Sequence, residues 1–507
     1  MLLEAVSYFL SWFWSIPVLF ALLVISTIQW WKYPHPRFPP GPRGLPFIGV
    51  ISFVSEQPNK KVYEWSKQYG PMFSIKLLNQ SVVLLTTYEV IQDAFTKHGS
   101  VMSDRPDIPL LSQVSNRNSI IEQNYNETFK MHRRNGNKIF KGLENTKASM
   151  EKVTMEEAGY LVNYLKQYCG KPIDIKFPIY HATANSVSQV ALSKRFVYNH
   201  KGFQKIIDSS VAMTEDPTFG KKIFAIIGIP LLRHIPPFRS ANQQYVKRTK
   251  EIYDFIQEQI DEHIETLDPD NVQDFIDIYL VENHISKTQK NLDFEANADL
   301  RGFIKDLFTA GIETVSITIN WAIVTLLHYP EIQAKIQQEL DSVVGSDEKI
   351  RPDHRKSLPY ACAFLEEVMR YHTISPLGAP HLTSADVELS DFYIPKNTMI
   401  QAHIWAVHHD PKNWPGPDKF DPLRHIDGDG NFVSSKKVLP FSVGPRRCLG
   451  ENLARIEMFL FIATILKHFH VLPDSGKSLP PLHMGIHGLF YSPFSFEVVL
   501  QERSSLI

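Results

Sequence analysis

The chain has 507 residues, 43% of them hydrophobic and 21% charged, with 53 lysines and arginines against 54 aspartates and glutamates. A net charge of −1 excludes a nucleic-acid binder that works through a global basic field, and the apolar fraction excludes a disordered chain. Its three cysteines, Cys169, Cys362 and Cys448, lie too far apart for a disulfide framework or a clustered zinc site and point to a reducing compartment.

From Ala5 to Trp31 no residue is charged, a run of 27 rich in Leu, Ile, Val, Phe and Trp. A bilayer core needs roughly 20 helical residues, so residues 1–31 read as a membrane anchor, with Trp12, Trp14, Trp30 and Trp31 where aromatic belts sit and Pro17 tolerable within the span. A cleaved signal peptide fits less well, because Glu4 stands where a basic leader is needed and no small-residue cleavage site follows. Lys32, Arg37 and Arg43 come directly after the span, so the positive-inside rule places the rest of the chain in the cytosol. The sequons at Asn79 and Asn126 are then expected to stay unmodified.

Residues 32–49 carry Pro34, Pro36, Pro39, Pro40, Pro42 and Pro46, which fix φ and restrain their predecessors. A semi-rigid extended spacer between membrane and body is expected there. Residues 50–507 show no second linker and no internal repeat, and read as one large domain, mainly α with a minor β-sheet region (α+β). Met72 to Leu78 and Ser81 to Thr86 predict a hairpin around Asn79-Gln80. Ile252, Ile256, Ile260 and Ile264, four residues apart, predict a helix over Val246 to Thr266. A second runs from Pro330 through Ile332, Ile336 and Leu340 to a stop at Gly345. Between them, Thr314-Val315-Ser316-Ile317-Thr318-Ile319 alternates like a strand while its flanks, Ala298 to Thr309 and Trp321 to His328, favour helix; periodicity leaves both open.

The most informative stretch is Phe441-Ser442-Val443-Gly444-Pro445-Arg446-Arg447-Cys448-Leu449-Gly450. Gly444 allows a tight turn, Arg446 brings a guanidinium near the sulfur, and Gly450 lets the helix that follows from Glu451 start close to another planar group. A thiolate at a helix N-terminus is stabilised by the dipole and by free N–H groups, which suits a metal ligand. An inert buried thiol is the better reading for Cys169 and Cys362.

The spacing Phe-x-x-Gly-x-Arg-x-Cys-x-Gly resembles the haem-binding loop of the cytochromes P-450. The resemblance implies the P-450 fold and haem b (iron protoporphyrin IX) with Cys448 as axial ligand, Phe441 shielding the sulfur, Gly450 close to the ring and Arg446 pairing a propionate. Arg105, Arg133 and His381 resemble further propionate partners. Glu367-Val368-Met369-Arg370 and Phe420-Asp421-Pro422-Leu423-Arg424 resemble the family's structural motifs, which implies a buried Glu367, Arg370 and Arg424 network. Ala310-Gly311-Ile312-Glu313-Thr314 is similar to the oxygen-activating stretch of the family's central helix. That likeness implies an opening at Gly311, a hydrogen bond from Thr314 to bound oxygen and proton relay through Glu313. Two positions depart from the pattern: Phe129 stands where Trp is usual, removing one N–H donor, and His425 stands where Phe is common and reads as packed or solvated. Asp427 to Asn431 fails the calcium-loop pattern, with Phe432 at position six and Val438 at position twelve, and reads as a surface turn.

The phrases Pro39-Pro40-Gly41-Pro42, Asp427 to Phe432 and Phe441 to Glu451 look most like the animal microsomal branch. This likeness implies a membrane-anchored monooxygenase that inserts one oxygen atom into a fatty acid, steroid or xenobiotic, with electrons from NADPH through cytochrome P-450 reductase and with cytochrome b5 as a second donor. The alternatives are an isomerase of similar fold that needs neither O₂ nor NADPH, which tends to lack the central Thr, and a non-catalytic haem-binding protein. Lys436, Lys437, Arg446 and Arg447, with Lys130, Arg133 and Arg134, are expected to form a basic docking face. By the same resemblance the pocket is lined from Pro106 to Ile121, Thr218 to Arg239, Phe303 to Thr314, Ile374 to Ala379 and Gly485 to Tyr491. These are mostly apolar, so a lipophilic substrate is expected, and Phe224 to Leu232 is expected to dip into the bilayer.

Overall fold

The computed structural model describes residues 18–50, 57–78, 80–145, 149–283 and 297–503. The first half of the expected anchor, with Glu4, Trp12, Trp14 and Pro17, and Asn79 of the hairpin turn lie outside the described residues. The chain forms two compact units, one of residues 1–104 and 379–403, the other of residues 105–378 and 404–507.

The first unit is built on short β-branched stretches too apolar to stay in water. Helix α1 (Val18–Trp31) leaves Leu19 and Phe20 about two-thirds exposed, at 63% and 66%. Strands β1 (Met72–Leu77) and β2 (Gln80–Leu85) pair antiparallel as the alternation predicts, Met72 opposite Leu85 and Leu77 opposite Gln80. Strands β3 (His381–Leu382) and β4 (Met399–Ala402) complete a four-stranded sheet in the order β1-β2-β4-β3. β2 and β4 run parallel, Val82 beside Met399. The proline-rich stretch packs along β1, in contrast to the semi-rigid spacer between membrane and body expected from its composition. Ser74 N–H donates to Pro40 O at 2.8 Å, its hydroxyl to Pro39 O at 2.6 Å, and Val50 N–H to Lys76 O at 2.9 Å. Prolines lack donors but keep carbonyls, and those carbonyls satisfy the outer N–H groups of an edge strand. Gly41 is required there, since a Cβ would stand 1.8 Å from Ser74 O.

The second unit is mainly helical. Its site is framed by α2 (Glu127–Gly142), α3 (Lys176–Leu192), α4 (Lys201–Glu215), α5 (Ala298–His328), α6 (Pro359–His372) and α7 (Glu451–His468). The helix expected over 246–266 starts earlier, at Phe238, and the one from Pro330 ends at Val343. The ambiguous stretch is helical throughout: α5 runs unbroken for 31 residues. Its threonines back-bond to the preceding turn, Thr314 to Ala310 O at 2.6 Å, Thr318 to Thr314 O at 2.9 Å and Thr325 to Trp321 O at 2.7 Å, which satisfies hydroxyls in a buried helix. Apolar residues surround α5 on most sides; Val315, Ile317, Trp321 and Ile323 join a core with Phe364, Phe459 and Phe461, and Phe303, Phe308 and Ile312 join a second with Phe203, Ile256 and Phe275. This also explains why α5, long and apolar enough to cross a membrane, is a core helix.

Candidate active site

The loop before α7 turns at Ser442 and Gly444, both at positive φ, and closes with Cys448 N–H donating to Phe441 O at 3.0 Å. Cys448 follows that turn at the start of α7, where the Gly450 N–H reaches the sulfur. Burial pushes its thiol pKa up; the Gly450 N–H, Arg133 and Arg447 act against this, while Glu451 adds to it. Yet Cys448 keeps accessible surface. The two observations agree when that surface lines a hollow within the unit instead of facing bulk water. Ala310 is likewise exposed and Thr314 half-buried on a helix otherwise buried over most of its length, and a Cβ at Gly450 would meet nothing within 4 Å. The other two cysteines show no such combination. Cys362 is buried with its thiol on Arg355 O, and burial raises the pKa of both Cys362 and Cys169.

Three guanidiniums of the second unit rest on main-chain carbonyls, one of them beside the Cys448 sulfur. Arg446 donates to Ile120 O at 3.1 Å and to Gln123 O, and its guanidinium stands 3.7 Å over the Phe129 ring. Phe129, unable to donate, thus supports Arg446 through its face. Arg105 Nε donates to Ile121 O at 3.0 Å, and burial alone brings its pKa down to about 10. Arg133 on α2 donates to Arg447 O; burial lowers its pKa, while the nearby Cys448 sulfur acts to raise it. Arg446 is buried and turned inward, so it takes no part in the expected docking face, and Arg447 is paired with Glu451 at 2.7 Å. His381 belongs to the first unit, where its Nδ1 pairs with Met102 O at 2.6 Å and its ring stacks on Phe95 at 4.1 Å.

On α5 the helix runs on through Gly311, and the missing Cβ is where Val187 of α3 packs, its Cγ2 only 2.7 Å from that position. Glu313 is buried, and burial pushes its pKa up to about 8, with the Thr214 hydroxyl acting against the rise and Glu215 adding to it. Thr314 spends its hydroxyl hydrogen on Ala310 O.

On α6, Glu367 and Arg370 form a fully buried bidentate pair, both contacts at 2.7 Å, with Arg424 Nε at 3.5 Å. His425 belongs to this group. Buried, it meets Glu367 Oε2 through Nε2 at 3.1 Å. Burial opposes the Glu367 charge, but bonds from Arg370 and His425 outweigh it and hold the carboxyl below its usual range. Sequence reasoning missed this role because His425 has only a motif departure to mark it. Asp427 makes the expected surface turn, its Oδ1 accepting from Asp429 N–H at 3.0 Å and Asn431 N–H at 2.8 Å.

The family model described as Cytochrome P450 matches residues 39–497. The chain belongs to the cytochrome P450 family and is a cytochrome P450 monooxygenase, of a class that holds haem b through a cysteine thiolate. Cytochrome P450 2C13, male-specific, of Rattus norvegicus is 34% identical over 458 residues, which is 89% of this chain and 92% of the relative. Cytochrome P450 2C39 of Mus musculus is 33% identical over 503 residues, 96% and 99% of the two chains. Cytochrome P450 2C70 of Rattus norvegicus is 35% identical over 454 residues, 87% and 90%. The residues present fit the cofactor of this family: a soft thiol at a helix start, open space beside Gly450 and desolvated guanidiniums suited to carboxylates.

Proposed function

We propose that this monooxygenase acts on a small lipophilic compound, a fatty acid, steroid or xenobiotic, at the endoplasmic reticulum membrane, with Cys448 as the iron ligand. Haem b, when bound, supplies the reductive activation of dioxygen and the transfer of one oxygen atom. Residues 1–31 are the anchor, residues 32–49 connect it and residues 50–507 form the cytosolic catalytic part; the exposed apolar side chains of α1 support this assignment. Arg105, Arg133 and Arg446 would hold the cofactor's carboxylates, Phe441 would cover the sulfur, and Glu367, Arg370 and Arg424 would brace the structure around the loop. Glu313 carries a proton at neutral pH, because burial raises its pKa to about 8, and so can give one up. Thr314 must release Ala310 O before its hydroxyl can donate toward the hollow, a rotation about one side-chain bond beside Ala310.

Lys130 and Arg134 share α2 with Arg133, whose guanidinium meets Arg447 O, and with Lys436 and Lys437 they offer basic side chains to an acidic flavoprotein reductase that passes electrons from NADPH, or to cytochrome b5. The observation that carries the assignment is the desolvated yet accessible sulfur of Cys448. Its test is the carbon-monoxide difference spectrum of the reduced protein: a strongly red-shifted Soret band in wild type, lost in Cys448→Ser. An unchanged spectrum in that variant overturns the assignment. The substrate class is tested by NADPH-dependent product formation over a panel of fatty acids, steroids and xenobiotics.

A further inference from the structure

The loop from Ser115 to Asn124 is gripped from two sides. On one side, Asp306 of α5 is buried, and its Oδ2 accepts from the Ser119 hydroxyl and from Ile121 N–H at 3.0 Å. Its Oδ1 faces Lys305 Nζ at 3.1 Å; Lys305 in turn reaches Glu122 at 3.6 Å, and Glu122 accepts from Ser115 Oγ at 2.6 Å. On the other side, carbonyls of the same loop accept from two guanidiniums outside it: Ile120 O and Gln123 O from Arg446, and Ile121 O from Arg105. Ile121 therefore gives its N–H to α5 and its C=O to Arg105.

A guanidinium has five donors in one rigid plane, so fixing one or two of them on a carbonyl fixes where the others point. A carbonyl fixed in turn by a buried carboxylate passes its position on. Lys305 keeps its charge in this setting: burial works against it, but Asp306 and Glu122 outweigh burial and hold its pKa above the ordinary value.

We propose that Asp306, supported by the Lys305 and Glu122 ion pair, is the positioning residue for Arg105 and Arg446, acting through the main chain of residues 119–123. The inference rests on the reading that these two arginines hold the carboxylates of the haem. It makes the central helix, on which Thr314 sits two turns further along, the common support of both the oxygen side and the carboxylate side of the cofactor.

The test uses the full-length holoenzyme and two readouts: the rate of haem transfer to excess apomyoglobin, and the propionate bending band in the resonance Raman spectrum. Asp306→Asn is expected to speed haem loss about tenfold, in line with losing charge-assisted hydrogen bonds, and to shift the propionate band. Asp306→Glu restores both in part. Lys305→Glu combined with Glu122→Lys lies nearer wild type than either single change, as a double-mutant cycle requires of a coupled pair. Should Asp306→Asn fail to accumulate, Ser119→Ala removes one of the two bonds on Oδ2 and carries the same comparison. An unshifted band and unchanged haem loss in these variants, with Arg446→Ala shifting both, overturns the positioning role alone. If Arg446→Ala leaves both unchanged, the anion-holding reading of the arginine falls and the inference falls with it.

Discussion

Two buried carboxyls of the second unit have opposite environments and therefore opposite responses to pH. Glu313 lacks a cationic partner among the causes of its shift, so burial dominates and its proton stays on up to about pH 8. The folded chain then holds a proton that the unfolded chain has lost above the ordinary carboxyl pKa. The contribution to stability is greatest below that ordinary value and declines as pH rises toward 8, by an amount on the order of 5 kcal/mol. Glu313→Gln should flatten this slope in urea unfolding followed across pH, and a slope identical to wild type would show that Glu313 is ionised in the fold. Glu367 has the reverse arrangement, with Arg370 and His425 holding it charged. Arg370→Met leaves that carboxylate without its bidentate partner and should lower stability by about 3–5 kcal/mol. His425→Phe, which restores the residue common in the family, removes a single bond and should lower it by about 1–2 kcal/mol in the same unfolding measurement.

At the level of helices, Gly136 sets a close approach. A Cβ on Gly136 of α2 would stand 2.8 Å from Phe303 Cζ and 2.9 Å from Leu449 Cδ2, so α2, α5 and the cysteine loop meet at one point. Gly136→Ala should destabilise by about 1–3 kcal/mol and speed haem loss, whereas Gly159→Ala, with open space around it, should do neither. The hairpin of β1 and β2 and the stop before Gly345 were legible because turn chemistry and β-branching are local signals. Thr314 to Ile319 misled because its alternation comes from β-branched residues on a helix buried nearly all round, where packing overrides propensity. The pairing of β2 with β4, more than 300 residues apart in sequence, leaves no local trace. The cysteine loop was legible through its fixed spacing, but the main-chain carbonyls that hold Arg105 and Arg446 were not, since a backbone oxygen has no residue type.

For the molecule as a whole, the apolar N-terminal helix α1 is not a detachable appendage. Trp30 is 7% exposed, and its indole N–H donates to Leu78 O at 2.9 Å, so the last turn of α1 is also part of the first unit. A truncation that begins at Gln29 should unfold at a higher temperature than one that begins at Lys32, and equal melting temperatures would show the tryptophan to be dispensable. Further along, Leu231 is 74% exposed, with Ile229 and Ile235 also outside. Leu231→Glu should reduce vesicle binding of the truncated protein without changing its stability, because the side chain packs on nothing that folding needs.

Gripping residues 119–123 by amide hydrogens and carbonyl oxygens has a consequence for how such an enzyme can diverge. Every peptide unit carries these groups, so the side chains of Ile120 and Ile121 can be exchanged without removing the bonds that their main chain makes. Selection for a new substrate can draw on those positions freely, while Asp306 and the arginines stay as they are.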